Sequence, residues 1–184
     1  KICSKGKYQD QDDHSSCKPC AIGKYIDLMG QTTCKSCYGQ YQNEGGQSSC
    51  KDDCGAGSYI TADKTACSVC NAVGQYQDQD DQSSCKDDCG VGSYITADKT
   101  ACSVCNLGQY QDQDDQPSCK DNCDAGSYIT SDKTTCSPCE LGQYQNLNDQ
   151  SSCKDDCSAG SYISADKTAC SVCNLGQFQN LDDQ

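Results

Sequence analysis

Cysteine is the residue type with the clearest chemistry in this chain. The 184 residues include 21 cysteines, spaced alternately about fourteen residues apart and then three or four apart. Close cysteine pairs form disulfides or hold zinc, and Cys17-x2-Cys20 with Cys34-x2-Cys37 has the spacing of a four-cysteine zinc ribbon. Against zinc, four of the ten close pairs are Cys-x3-Cys, and the segments between them lack a hydrophobic strand pattern. We therefore expect disulfides, with no metal and no other cofactor.

Aspartate runs are the second candidate for chemistry, because calcium binds six to eight oxygen ligands. The run recurs three times in similar form, and its calcium candidates are Asp10, Asp12, Asp13, Asp78, Asp80, Asp81, Asp112, Asp114 and Asp115. The same place holds Asn-Glu-Gly-Gly at 43–46 and Asn-Leu-Asn at 146–148. A ligand set that every repeat needed would vary less, so a solvated acidic turn is the simpler interpretation.

Catalysis is not expected. His14 is the only histidine, and Gln82, Gln116 and Gln150 hold its place in other repeats. No recurring nucleophile accompanies it, and an array of small repeats offers no deep pocket. We predict that the protein is not an enzyme.

Composition indicates a secreted, disulfide-stapled scaffold. Leu, Ile, Val, Phe and Met number 20, about 11% of the chain, too few for a conventional core. Cysteine at about 11% indicates a disulfide scaffold in an extracellular or cell-surface setting. The net charge of −13 and the absence of Arg argue against a nucleic-acid partner. No apolar run is long enough to span a membrane.

The elements that must position these residues are tandem units, each with a Gly-x-Tyr or Gly-x-Phe motif shortly after its leading cysteine. Eleven units fill residues 1–184, and they begin at Cys3, Cys20, Cys37, Cys54, Cys70, Cys89, Cys105, Cys123, Cys139, Cys157 and Cys173. An acidic Gln/Asp kind, as at 75–85, alternates with an Ile/Thr/Lys kind, as at 58–67, giving a period of about 34 residues. The eleventh unit is incomplete, and we interpret the chain as a segment of a longer array.

Each unit is expected to form a very small β-hairpin. In the second kind, Tyr-Ile-Thr and Thr-Ala-Cys flank an Ala-Asp-Lys turn. The motif glycine is expected to take positive φ or to let the aromatic ring lie against backbone. The residues given this structural role are Gly57, Tyr59, Gly92, Tyr94, Gly126, Tyr128, Gly160 and Tyr162. The predicted fold class is small disulfide-rich tandem repeats, short β-hairpins and irregular loops stacked into an elongated rod, with almost no helix.

Two disulfide patterns fit the spacing. Sequential pairing closes each unit, as Cys54 with Cys67, and places the Gly-x-Tyr motif inside the loop. A ladder instead joins successive close pairs, as Cys50 with Cys67 and Cys54 with Cys70. The count of cysteines does not decide between them, because the sequential pattern leaves Cys173 unpaired and the ladder leaves Cys3.

The framework Cys-x-x-Gly-x-Tyr-x8-Cys-x-x-Cys, as at Cys3 to Cys20, resembles the cysteine-rich repeats of ephrin receptors and the single-bridge modules of tumour-necrosis-factor receptors. Arrays similar to this one also occur in surface and secreted proteins of algae and other protists. The resemblance implies elongated extracellular rods in which the first two cysteines of a unit are bridged. It thereby implies the pairs Cys3–Cys17, Cys20–Cys34, Cys37–Cys50, Cys54–Cys67, Cys70–Cys85, Cys89–Cys102, Cys105–Cys119, Cys123–Cys136, Cys139–Cys153 and Cys157–Cys170.

This chain departs from those families in two respects. Typical copies carry Pro just before the motif glycine, and no unit here does. The modules with crossed bridges that help to build the ligand surface of tumour-necrosis-factor receptors are also not evident. The resemblance therefore does not extend to ligand binding of that kind.

Isoleucine recurs once per period and has two interpretations. Ile60, Ile95, Ile129 and Ile163 follow the Tyr of the second kind of unit. They either pack between adjacent units or form a stripe that contacts neighbouring chains laterally. The Ser-Ser pairs at 15–16, 48–49, 83–84 and 151–152 are candidate sites for O-linked glycans.

From these observations we predict an extracellular structural protein. It would be a stalk, or a subunit of a surface or extracellular filament such as a fibril or flagellar hair. It would self-associate or assemble with another surface-layer protein. The alternative is a spacer or binding ectodomain of a receptor or adhesin, modulated by calcium.

Overall fold

Twelve very short strands make up the regular structure, and they pair as six antiparallel hairpins. The structure, a computed structural model, describes residues 2–12, 15–52, 54–155 and 157–180, and these contain no helix. The strands are β1 (Lys7–Tyr8), β2 (Lys18–Pro19), β3 (Lys24–Tyr25), β4 (Lys35–Ser36), β5 (Ser58–Ile60), β6 (Cys67–Val69), β7 (Ser93–Ile95), β8 (Cys102–Val104), β9 (Ser127–Ile129), β10 (Cys136–Pro138), β11 (Ser161–Ile163) and β12 (Cys170–Val172). Each odd-numbered strand pairs with the strand that follows it. The prediction of small disulfide-rich repeats built from hairpins is confirmed.

The hairpin of the Ile/Thr/Lys kind is closed by an aspartate turn. In β5–β6, Tyr59 lies opposite Ser68 and Ile60 opposite Cys67. The second strand therefore begins at Cys67, later than the Thr-Ala-Cys segment that the sequence suggested. The reason is that Asp63 Oδ1 accepts hydrogen bonds from the Thr61 hydroxyl (2.6 Å) and the Thr65 hydroxyl (2.9 Å), which holds residues 61–66 in the turn.

The acidic kind of unit forms less strand. From Cys37 onward its pairing shrinks to single antiparallel bridges, Tyr41 with Lys51, Tyr76 with Lys86, Tyr110 with Lys120 and Tyr144 with Lys154. Its loop backbone is held instead by side chains, in particular by the glutamine after each of these tyrosines. The two kinds of unit thus share a framework and differ in how they hold their loops.

Ten disulfides, each closing one unit, form most of the core. They join the two ends of each unit in the sequential pattern. Every leading cysteine from Cys3 to Cys157 is buried. Cys173 is the free cysteine among the described residues, and it is half-buried. The buried apolar residues are therefore mainly disulfide-bonded cysteines, with few aliphatic side chains among them.

The backbone divides into two compact blocks. The first comprises residues 1–87 with 97–101 and contains β1 to β6. The second comprises residues 88–96 with 102–184 and contains β7 to β12. The same contacts between successive units recur within each block. Nowhere in the described ranges is there a helix suited to crossing a membrane.

Candidate functional site

The recurring functional feature is the interface between one unit and the next. At its centre in the acidic kind is a buried glutamine, Gln42, Gln77, Gln111 or Gln145, each only 2–3% exposed. This residue occupies the slot after Tyr that Ile holds in the other kind. This glutamine was not predicted from the sequence, although the regular alternation of Gln and Ile at the position after Tyr indicated that the position faces inward.

Every polar group of this glutamine has a partner. In Gln111, Nε2 donates to the Ser118 carbonyl (2.7 Å) and Oε1 accepts from the Gln113 amide (3.1 Å), so the side chain fixes its own loop. Its backbone carbonyl accepts from Gly92 (2.7 Å) in the preceding unit, and its amide donates to Lys133 (2.9 Å) in the following one. One residue therefore connects three successive units.

Several motif glycines lie where units approach closely, whereas Gly39, Gly160 and Gly176 have open space around the Cβ position. All eleven have positive φ, from Gly6 to Gly176, as predicted. A Cβ at Gly92 would lie 2.6 Å from the Asp132 carbonyl oxygen, and one at Gly126 would lie 2.5 Å from that of Asp166. Each of these contacts joins units of the same kind, one period apart. The tyrosines beside them, Tyr59, Tyr94 and Tyr128, are half-buried, and Tyr162 is exposed.

Aspartates of the acidic turn hold the unit before them. Asp115 Oδ1 accepts from the amides of Asp88 (3.0 Å) and Cys89 (2.8 Å), and its own amide donates to the Cys89 carbonyl (2.7 Å). Asp114 Oδ1 accepts from Val91 (2.9 Å). Asp81 and Asp80 make the corresponding contacts with Cys54 and Ala56. We call this set of contacts the aspartate clasp.

Replacements within the clasp explain why this loop varies in sequence. Asn148 takes the place of Asp114 and accepts from Ala125 at 2.9 Å, so the contact needs an oxygen rather than a charge. Asp81, Asp115 and Asp149 all have φ near +60°. Gly46 holds the same place earlier in the chain and donates its amide to the Cys20 carbonyl. Position and backbone conformation are thus retained while the side chain changes.

Lysine performs the equivalent task in the other kind of unit. Lys64, Lys99, Lys133 and Lys167 also have positive φ, and the carbonyl of each accepts from a buried glutamine. The Lys133 and Lys167 ammonium groups donate to the carbonyls of Cys105 and Cys139 in the preceding unit, and Lys99 Nζ reaches Ala72 (2.9 Å). Sequence reasoning did not anticipate this contact.

The calcium candidates therefore have other partners. Asp10 pairs with Lys18 (2.7 Å), Asp78 pairs with Lys86 (2.5 Å), and Asp112 pairs with Lys120. Asp12 is exposed, and Asp13 and His14 lie outside the described residues. Across residues 2–12, 15–52, 54–155 and 157–180, no three acidic, His or Cys side chains gather into a metal-binding group. The described carboxylates act as hydrogen-bond acceptors and ion-pair partners.

Turn aspartates are stabilised in their ionised form. Hydrogen bonds from the Thr61 and Thr65 hydroxyls hold the pKa of Asp63 below its ordinary value. The corresponding bonds lower the pKa of Asp132 and of Asp166. The pKa of Asp78 is lowered by its bond from Lys86, whose own pKa is raised in return.

The burial of the isoleucines favours packing over lateral contact. Ile60, Ile95 and Ile129 are only 3–5% exposed, and Ile163 is half-buried. Their amides take part in contacts between units, since Ile95 N donates to the Gln116 carbonyl at 2.8 Å. The side chains of Ile60, Ile95 and Ile129 are therefore not available to a neighbouring chain in this structure, whereas Ile163 retains an accessible part.

Four strongly exposed apolar side chains lie at turns, and Val69, Val104 and Val172 in β6, β8 and β12 are 64–77% exposed as well. Val73, Leu107, Leu141 and Leu175 directly precede the motif glycine of the acidic kind and are 88–107% exposed. In the Leu107 turn, the Gln109 amide donates to the Asn106 carbonyl at 3.1 Å, and Gly108 takes φ +81°. Leu107 is thus the second residue of a four-residue β-turn whose third residue is glycine, the type II arrangement.

Comparison with known proteins agrees with this geometry. Residues 126–162 match a family model described as tyrosine-protein kinase ephrin type A/B receptor-like. The matched segment runs from one motif glycine, through β9, β10 and the acidic unit that follows, to the next Tyr of the same kind. Residues 126–162 are therefore similar to an ephrin-receptor-like cysteine-rich repeat, in agreement with the resemblance seen in the sequence. No curated protein matches the chain.

Proposed function

We propose that this protein is an extracellular structural repeat protein, a disulfide-stapled stalk or a subunit of a surface or extracellular filament. The observation that carries the proposal is the use of the motif residues. The buried glutamine, the motif glycine, the aspartate clasp and the lysine contact all join one unit to the next. Residues that recur in every period are thus occupied in holding the array together, which is what an architectural role requires.

The bridges support an extracellular or cell-surface location. A chain with ten disulfides persists in an oxidising compartment, because cytosolic reductants keep thiols reduced. The ephrin-receptor-like match at residues 126–162 supports the same location, since repeats of that family are ectodomain modules.

A non-catalytic role follows from the same contacts. The recurring polar side chains are held between units, as Gln111 is by Ser118, Gln113, Gly92 and Lys133. A general base or nucleophile needs a free polar group beside a substrate pocket. Structural use of these groups is the better account of their recurrence.

A spacer ectodomain of a receptor or adhesin is the second candidate. The family match favours it, because the matching family model is described as receptor-like. In that role the array would separate a binding domain from the cell surface. Stalk, filament and spacer all require the same stacked units and differ in what lies at the ends.

Electron microscopy of native material tests the proposal. The chain is first detected in the cell-surface or secreted fraction by antibody, and the labelled structures are then imaged. Gold particles repeating at a regular interval along fibres would support a filament subunit, and single labels at the cell surface would favour a spacer. Label confined to the cytosol would contradict both. Pre-absorbed antibody is the control.

A further inference from the structure

Exposed turns of the acidic units have an apolar side chain and, in the same unit, a carboxylate, and neither belongs to the contacts between units described above. We call three of these turns, at Val73, Leu107 and Leu141, the apolar tips; the Tyr38 ring, at the same position earlier in the chain, is instead contacted by Lys64, whose Nζ lies 5.4 Å from the ring centroid. The side chains at the apolar tips are 88–96% exposed, whereas Ile60, Ile95 and Ile129 are only 3–5% exposed. Single exposed apolar residues are ordinary on a protein surface, but recurrence at one turn position is not.

The turn itself does not require these side chains. The Ile/Thr/Lys kind has the same turn, for example with the Ser127 amide donating to the Asp124 carbonyl at 3.1 Å. There the equivalent position holds Ala56, Ala125 and Ala159, and also Val91 and Ile22, which are only 44% and 51% exposed. The apolar side chains that are at least 88% exposed at this position are therefore those of the acidic kind.

A carboxylate lies within the same unit as each tip, held by the glutamine two residues after it. Gln109 Nε2 donates to Asp121 Oδ1 at 2.6 Å, and Gln143 and Gln75 hold Asp155 and Asp87 at 2.7 and 3.0 Å. Gln40, in the Tyr38 turn, does the same for Asp52. A neutral amide orients the carboxylate without neutralising it. Within the described chain, no lysine forms an ion pair with any of these four aspartates.

The net charge of the chain indicates which kind of partner this surface would bind. The chain carries a net charge of −13, so two copies meeting at these tips would bring like charges together. A partner with basic side chains is attracted, and apolar side chains on that partner could cover the tips. Val73, Leu107 and Leu141 recur at intervals of 34 residues, and within the second block the weak contacts at Leu107 and Leu141 add together when one partner binds both.

We propose that the apolar tips, each with its glutamine-held aspartate, are a repeated docking surface for a basic polypeptide segment that carries interspersed apolar side chains. Each tip contributes one apolar contact and its aspartate one cation contact. The inference adds a partner to the structural role. It holds equally for a filament subunit and for a spacer.

Fluorescence anisotropy with defined peptides tests the proposal on the whole chain. The probe is a labelled peptide of alternating lysine and leucine, compared with glutamate–leucine and lysine–serine peptides of equal length. We expect the lysine–leucine peptide to bind at least about tenfold more tightly than either comparison peptide. Equal binding of the lysine–serine peptide would overturn the proposal, because general attraction to the acidic chain would then explain it.

Matched double variants locate the surface. Leu107→Ser with Leu141→Ser is expected to weaken lysine–leucine binding several-fold, whereas Leu28→Ser with Leu147→Ser, which alters exposed apolar residues elsewhere, leaves it unchanged. Asp121→Asn with Asp155→Asn should weaken binding more than Asp12→Asn with Asp124→Asn, which removes the same charge. Equal effects within either pair would overturn the proposal. So would a dimer in sedimentation that the Leu107→Ser, Leu141→Ser variant abolishes, because a second copy would then cover the tips.

Discussion

At the scale of the residue, the two kinds of unit fill the same inward-facing position with different side chains. The slot after Tyr faces the neighbouring units, and it is filled by Ile in one kind and by Gln in the other. Ile contributes apolar area, whereas Gln contributes hydrogen bonds to its own loop. The cost of burying an amide is met because all its polar groups have partners.

Replacing the buried glutamine by its apolar counterpart should therefore destabilise the array. Gln111→Ile leaves the Ser118 carbonyl and the Gln113 amide without their partner. We expect a loss of about 1–3 kcal/mol in the free energy of unfolding, measured by guanidinium denaturation with the bridges intact. The control is Gln113→Ile, in the same unit, where the side chain is exposed and the backbone amide that bonds to Gln111 is kept. A Gln111 variant as stable as that control would refute the role of the glutamine.

The clasp aspartates should tolerate loss of charge but not loss of their oxygen. Asp115→Asn keeps an acceptor for Asp88 and Cys89 and suits positive φ. Asp115→Ala loses both bonds and places at φ +59° a residue that tolerates positive φ less well than Asp or Asn, so we expect it to lower the melting temperature relative to Asp115→Asn. A separate measurement compares the melting temperature of the chain with calcium and with a chelator. We expect the two temperatures to be equal, because the clasp aspartates accept hydrogen bonds from backbone amides. A higher melting temperature with calcium would support the calcium hypothesis.

The turn aspartates predict sensitivity to acid. The pKa of Asp63, Asp132 and Asp166 is lower in the folded protein than in the unfolded chain. Their contribution to stability is therefore complete above the ordinary aspartate pKa and is lost as pH falls through the lowered values. Melting temperatures from pH 6 down to pH 2 should decline mostly below pH 4. Asp132→Asn should reduce that decline relative to the exposed control Asp124→Asn, and equal declines would contradict it.

At the scale of the element, the sequence predicted the hairpins but not their extent. Tyr-Ile-Thr around Ala-Asp-Lys is a readable turn signal, and β5 begins within one residue of it. The second strand could not be located, because the Asp63 bonds to Thr61 and Thr65 compete with strand pairing. The extent of strand pairing in the acidic kind could not be predicted either, because hydrogen bonds of a buried glutamine side chain hold its loop in place of strand pairing.

The motif glycine provides the sharpest test at this scale. At Gly92, φ is +79° and a Cβ would lie 2.6 Å from the Asp132 carbonyl oxygen. Gly92→Ala should cost at least about 2 kcal/mol, because the backbone strain adds to a close contact that requires the next hairpin turn to move. Gly90, two residues earlier, has open space around its Cβ position. Gly90→Ala should change the denaturation midpoint little, and similar losses for both variants would disprove the close-packing explanation.

At the scale of the whole molecule, the sequence predicted the 34-residue period but not which residues of a period contact other units. The cysteine spacing and the alternation of units identified a tandem array from sequence alone. Ile60, Ile95 and Ile129 were assigned both an internal and a lateral role, because a strand two or three residues long does not reveal which face is covered. The lysine contacts to Ala72, Cys105 and Cys139 depend on turn geometry in the following unit, which no local pattern encodes.

Mapping the disulfides of the purified, unreduced protein tests the central claim most directly, since every contact between units assumes that each unit is closed on itself. Trypsin cleaves after Lys51 and Lys64, and thermolysin cleaves before Val69, so that Cys50, Cys54, Cys67 and Cys70 fall in separate peptides. Mass spectrometry should find Cys54 joined to Cys67 and Cys70 joined to Cys85, with Cys173 as the alkylated thiol. Peptides joining Cys50 to Cys67 and Cys54 to Cys70 would contradict the account.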